Sequence, residues 1–128
     1  MILGPTRSDR SVLVIENDDS YRAALAEAIR ATRDLELVGT ADGVRSGLDA
    51  ARRLQPRLVV VDVRMPEGGG SRVARELGSV SPKSVVLALS VHDDPDSVEM
   101  MRAAGVEAYI AKGGPVEDLL RAMLDLCR

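Results

Sequence analysis

The chain has no tryptophan and no phenylalanine; its only aromatic residues are Tyr21 and Tyr109. No aromatic platform exists on which bases or sugar rings could stack, and the core has to be aliphatic. A single cysteine, Cys127, excludes an internal disulfide, and a single histidine, His92, excludes a zinc site of the usual Cys/His spacing. Cys127, near the end of a helical pattern, reads as a small packing residue. No apolar run approaches the roughly 18 residues of a membrane helix, and Ile2 and Leu3 are too few for a signal-peptide core. A cytoplasmic chain with no membrane partner is expected. The net charge of −3 leaves no basic footprint, so direct contact with nucleic acid by this chain is not expected. Gly68 to Gly70 lack the Lys-Ser/Thr ending of a phosphate-binding loop, which argues against nucleotide hydrolysis.

What is present is a globular balance: 128 residues, 45% hydrophobic and 29% charged, enough for one domain with a real core. Residues 1–10 are polar and aperiodic and read as a flexible tail; the domain is expected over 11–128. Ser11 to Ile15, Leu35 to Ala41, Leu58 to Val63, Val85 to Leu89 and Ala108 to Ala111 read as strands, the first and third as runs buried on both faces. Between them lie helical patterns. Asp18 or Asp19 caps the first, with a stripe of Tyr21, Leu25, Ala28 and Ile29 ending near Arg33. The second carries Val44, Leu48, Ala51 and Leu54 until Pro56 stops it. A short third helix through Val73 and Leu77 follows the glycine loop. Asp94 and Pro95 open the fourth, with Val98, Met101 and Ala104, closed by Gly105; Pro115 opens the last, with Val116, Leu119, Leu120, Met123 and Leu124 inward.

Strict alternation of strand and helix gives right-handed crossovers and a parallel sheet covered on both faces. In such a sheet the ligand site lies outside the carboxyl ends of the strands. Four of the apolar runs end there in polar residues: Glu16 with Asn17, then Asp62, Ser90 and Lys112. A carboxylate, a hydroxyl and an ammonium on one rim suit a phosphoryl group.

With these residues in place, the chain from Ser11 to Cys127 closely resembles the receiver domain of bacterial two-component response regulators. The resemblance rests on the acidic pair position (Glu16, Asn17), VDVRMP around Asp62, LALS ending in Ser90, Tyr109, and Lys112 after the fifth strand. LSVHDD and AGVEAYIAKG look like the NarL-type subfamily. It implies a flavodoxin-like (βα)5 fold, a doubly wound five-stranded parallel sheet in the order 2-1-3-4-5. It further implies a switch rather than a turnover enzyme, with Asp62 as phosphoacceptor for a sensor histidine kinase. Lys112 would contact the phosphoryl group, Ser90 would hydrogen-bond it, and Tyr109 would be the switch aromatic. Mg²⁺ would be the cofactor, on Glu16, Asn17, Asp62 and the backbone carbonyl of Arg64. The helix 4, strand 5, helix 5 surface would be the output face, homodimerisation is expected, and transcription would be controlled through a C-terminal DNA-binding domain absent from this chain.

Two positions depart from the family pattern. Asn17 removes one formal negative charge from the acidic pair, so metal affinity should fall unless Glu16 or Asp18 compensates. Gly113 replaces a frequent proline after the lysine; a cis bond there would cost about 2.5–4 kcal/mol, so a trans bond is expected. Arg64 and His92 flank the expected site, though His92 reads best as a solvent-facing loop residue. The departure at Asn17 motivates an alternative, a phosphate-independent pseudo-receiver used for protein interaction or dimerisation. A haloacid-dehalogenase-type phosphohydrolase also joins a strand-end aspartate with Mg²⁺ and lysine, but it wants a second acid where Arg64 stands.

Overall fold

The computed structural model describes residues 9–91 and 95–127. Most of the expected tail, His92 and the Asp94 cap lie outside the described residues. Five strands and five helices alternate: β1 (Ser11–Ile15), α1 (Asp19–Arg30), β2 (Glu36–Ala41), α2 (Val44–Leu54), β3 (Leu58–Asp62), α3 (Gly69–Val80), β4 (Val85–Ser90), α4 (Pro95–Ala103), β5 (Ala108–Ala111) and α5 (Val116–Leu126). The strands form one sheet in the order β2-β1-β3-β4-β5, with every pairing parallel. The flavodoxin-like doubly wound fold is as expected.

β1 and β3 are buried along their whole length, which is why they read as unbroken apolar runs. Alternation divides their side chains between two cores. Leu13, Ile15, Val59 and Val61 pack under Val44, Leu48 and Ala51 of α2 and Val73 and Leu77 of α3. Val12, Val14, Leu58, Val60, Leu87 and Leu89 pack under Leu25 and Ile29 of α1 and Leu119 and Met123 of α5. Each such buried Val, Leu, Ile or Met side chain contributes roughly 1.5–3 kcal/mol. Cys127 joins the second core, and burial raises its thiol pKa, which suits packing rather than reactivity.

Four local expectations are corrected. α1 ends at Arg30 rather than near Arg33, because Thr32 turns its hydroxyl back onto the Ala28 carbonyl at 2.8 Å. β2 begins at Glu36, since Leu35 packs into the second core ahead of the ladder. α3 is a full 12-residue helix that starts inside the glycine run. Gly68 caps it at φ 104° and Gly69 continues at φ 61°, and a Cβ on Gly70 would come within 2.8 Å of the Asp62 carbonyl oxygen. Val116 is 43% exposed at the start of α5 instead of facing the core. Among the described residues no helix is long and apolar enough to cross a membrane.

Candidate functional site

Strand parity builds the site. Val12, Val14 and Glu16 fall on one face of the sheet, as do Val60 and Asp62, and Ile110 and Lys112. The ladder runs a residue past the strands to hold them: Glu16 N–H donates to Ala41 at 2.9 Å, Val63 N–H to Leu89 at 2.9 Å and Lys112 N–H to Ser90 at 2.9 Å. Three charged side chains thus meet at one rim on the α1/α5 side. Lys112 Nζ lies 2.6 Å from Glu16 Oε1 and 3.4 Å from Asp62 Oδ2. Glu16 is fully buried and Asp62 nearly so, at 0% and 6% exposure.

The loops around these groups are fixed by hydrogen bonds. Asp18 N–H donates to Glu16 Oε2 at 2.9 Å, and the Asp18 carboxylate caps α1 through Tyr21 N–H at 3.0 Å, so Asp18 rather than Asp19 is the cap. Arg22 reaches back from α1 to the Glu16 carbonyl at 2.8 Å while pairing with Asp19 at 2.7 Å. Arg64 N–H donates to Asp62 Oδ1 at 3.2 Å, and Met65 is buried behind it, anchoring the turn after β3. The Tyr21 ring centroid is 4.4 Å from Lys112 Nζ.

Burial, followed by the hydrogen bond and charge of Glu16, pushes the Asp62 carboxyl up to about 6; Arg64 N–H and the Lys112 charge only partly offset this. For Lys112, burial opposes the charge, but Glu16 and Asp62 outweigh it and hold the ammonium above its ordinary pKa. The rim therefore carries two carboxylates and one cation in a poorly solvated setting, short of positive charge.

Asn17 shows where a further cation fits. One terminal atom of its amide lies 3.1 Å from Glu16 Oε2 and 3.2 Å from Asp62 Oδ2. Facing two carboxylate oxygens, that atom has to be the nitrogen when no cation is present, and the amide must turn to give its oxygen to a metal. The donor set of two carboxylates, an amide oxygen and a neighbouring main-chain carbonyl is all oxygen, as Mg²⁺ requires. It is also thin: among the described residues no cluster of three or more His, Cys, Asp or Glu side chains is placed to hold a metal ion.

Ser90 and Tyr109 fall on the other face of the sheet by strand parity. Ser90 is buried at the end of β4, one residue past Leu89, the register partner of Asp62. By alternation it shares the opposite sheet face with Ala88 and Val86, and Tyr109, paired with Ala88, is the half-buried aromatic on that face. The structure thus brings Glu16, Asn17, Asp62 and Lys112 together, and puts Ser90 and Tyr109 on the α3/α4 side of the same sheet. Two contributors were missed in the sequence. Tyr21 was read only as part of the α1 stripe, although its place in the first turn of the helix after β1 puts it at the same rim; Arg22, one residue on, carried no separate signal.

The model of the response regulator receiver domain matches residues 12–124. The chain belongs to the response regulator receiver domain family, the signalling module of two-component systems. It is 33% identical over 113 residues to the response regulator GacA of Pseudomonas aeruginosa, covering 88% of this chain and 52% of GacA. It is 34% identical over 114 residues to the transcriptional regulatory protein PdtaR of Mycobacterium tuberculosis, covering 89% of this chain and 55% of PdtaR. The chain spans about half the length of these curated relatives. The solved signal receiver domain of a NarL response regulator from Mycobacterium tuberculosis superposes with a TM-score of 0.88 at 25% identity, over 96% of this chain and 98% of that one. The NarL-type assignment agrees with it.

Proposed function

We propose that this domain accepts a phosphoryl group on Asp62 from the phosphohistidine of a sensor histidine kinase and passes the change to an output surface. The observation that carries the reading is the grip on one aspartate. Oδ1 accepts from Arg64 N–H at 3.2 Å while Oδ2 faces the Lys112 ammonium at 3.4 Å, at the end of the central strand β3. An ionised Asp62 oxygen forms the new P–O bond as the P–N bond to the donor imidazole breaks, the electron pair leaving with the nitrogen. Lys112 supplies a point charge to a phosphoryl oxygen. Glu16, Asn17, Asp62 and the Arg64 carbonyl would hold Mg²⁺, which would offset the charge of the phosphoryl oxygens.

The acyl phosphate carries roughly 1.5–2 negative charges where the carboxylate carried one, and it places three acceptor oxygens beside the end of β4. The Ser90 hydroxyl turns to donate to one of them, and the space it leaves on the α3/α4 side takes Tyr109. The α4, β5, α5 face changes with it. A gap of a few kcal/mol between two states is enough for such a switch. α4 suits a moving part, since Met101 is its one buried residue and Met100 is 59% exposed. Through that face the domain signals to its output, the control of transcription by a DNA-binding domain, and it forms a homodimer through α5 with either α1 or α4.

Incubation with acetyl phosphate and Mg²⁺ tests this directly: one phosphoryl mass is expected on the intact protein and none on Asp62→Asn, whereas no gain under any condition rejects it. Asn17 favours one second reading, a pseudo-receiver that works without phosphate. In that case neither Mg²⁺ nor beryllofluoride gives a saturable response.

A further inference from the structure

Lys112 Nζ is contacted by two carboxylates and one aromatic ring. The carboxylates of Glu16 and Asp62 lie at 2.6 and 3.4 Å, and the Tyr21 ring centroid lies 4.4 Å from Nζ. An ammonium over an aromatic face is drawn to its negative quadrupole, more so when poorly hydrated, and this side chain is 13% exposed. An apolar pocket of about 180 Å³ lies between α1 and α5, lined by Tyr21, Leu25, Ala111, Pro115 and Leu119 as well as Lys112. The backbone beyond the lysine offers little restraint. Gly113 follows where a proline would have fixed φ, and a Cβ built on it meets nothing within 4 Å.

We infer that Tyr21 is a positioning residue for Lys112, its ring holding the ammonium at the rim where it faces Asp62. The inference rests on the phosphoacceptor reading, since aiming Lys112 matters to function only if Asp62 takes a phosphoryl group. The ring face carries the effect, so phenylalanine should serve and leucine, with similar apolar bulk, should not.

The test compares wild type, Tyr21→Phe and Tyr21→Leu, each confirmed folded by its thermal melt, with Tyr21→Met as a second non-aromatic variant. Two quantities are read: the rate of phosphorylation by acetyl phosphate with saturating Mg²⁺, and the NMR shifts of the Lys112 side-chain methylenes, which a ring above them moves upfield. Wild type and Tyr21→Phe should share both the rate and the upfield shift. Tyr21→Leu and Tyr21→Met should lose the shift and slow phosphorylation about two- to fivefold. An unchanged shift or rate in both non-aromatic variants overturns the inference, as does a Tyr21→Phe rate as low as that of Tyr21→Leu, which would assign the role to the hydroxyl. Wild type that takes up no phosphoryl group overturns the reading of Asp62 instead, a result the NMR arm keeps separate.

Discussion

Lys112 leans toward Glu16 rather than Asp62, with its ammonium 2.6 Å from the first carboxylate and 3.4 Å from the second. The buried glutamate thus sets where the lysine charge sits before any phosphoryl group arrives. Removing the ammonium leaves two buried carboxylates facing each other, and one partner of a buried pair left alone is costly. Lys112→Met is expected to lose about 2–3 kcal/mol in urea denaturation at pH 7. The loss should shrink at pH 5, where a proton on Asp62 relieves the repulsion.

Asp62 itself gives a pH signature in metal-free protein. Its carboxyl titrates near 6 in the fold instead of 3.8, so ionising it costs the folded state more than the unfolded chain. The group's contribution is complete below about pH 4 and is lost as pH rises through 6. In EDTA, Asp62→Asn should therefore be more stable than wild type at pH 7, by on the order of 1–3 kcal/mol, with the advantage vanishing toward pH 4. Denaturation curves across that range check it.

Asn17 gives a metal signature. Its amide lies within 3.2 Å of both carboxylates but brings no charge, and cation affinity in oxygen sites follows the ligand charge. Asn17→Asp should bind Mg²⁺ about tenfold more tightly by calorimetric titration. In the absence of metal the same variant should be less stable than wild type, because a third carboxylate joins the rim.

The turn after β3 should tolerate no side chain. Gly69 sits at φ 61°, and a Cβ there would collide with the Val63 carbonyl oxygen. Gly69→Ala is expected to cost about 2–4 kcal/mol from backbone strain and overpacking. Gly113→Ala, with open space around it, should stay within about 0.5 kcal/mol in the same denaturation assay.

Much of this was legible in the sequence because strands buried on both faces have to be unbroken apolar runs, and such runs end abruptly at their polar residues. Val12 to Ile15 stopping at Glu16, and Leu58 to Val61 stopping at Asp62, marked both the central strands and the rim of the sheet. Parity was harder to read. Ser90 ends its strand like the others, yet it pairs one step past Asp62 and so falls on the opposite face; only the register Asp62↔Leu89 shows this. The start of α3 was hidden because glycines signal a loop, whereas here Gly69, at a left-handed φ, and Gly70 open the helix and are small enough to pass the carbonyls of Val63 and Asp62. Tyr21 was hidden by its place in an apolar stripe, where a ring serving a lysine looks like any core residue.

The proposal that Asp62 carries the phosphoryl group is examined most directly by chemical trapping. Borohydride reduces an aspartyl phosphate to homoserine, and peptide mass spectrometry after acetyl phosphate and Mg²⁺ treatment locates the converted residue. Homoserine at position 62, and at no other aspartate, is the expected result. Conversion at Asp18, Asp19 or any other acid, or no conversion in protein that has gained mass, would contradict it.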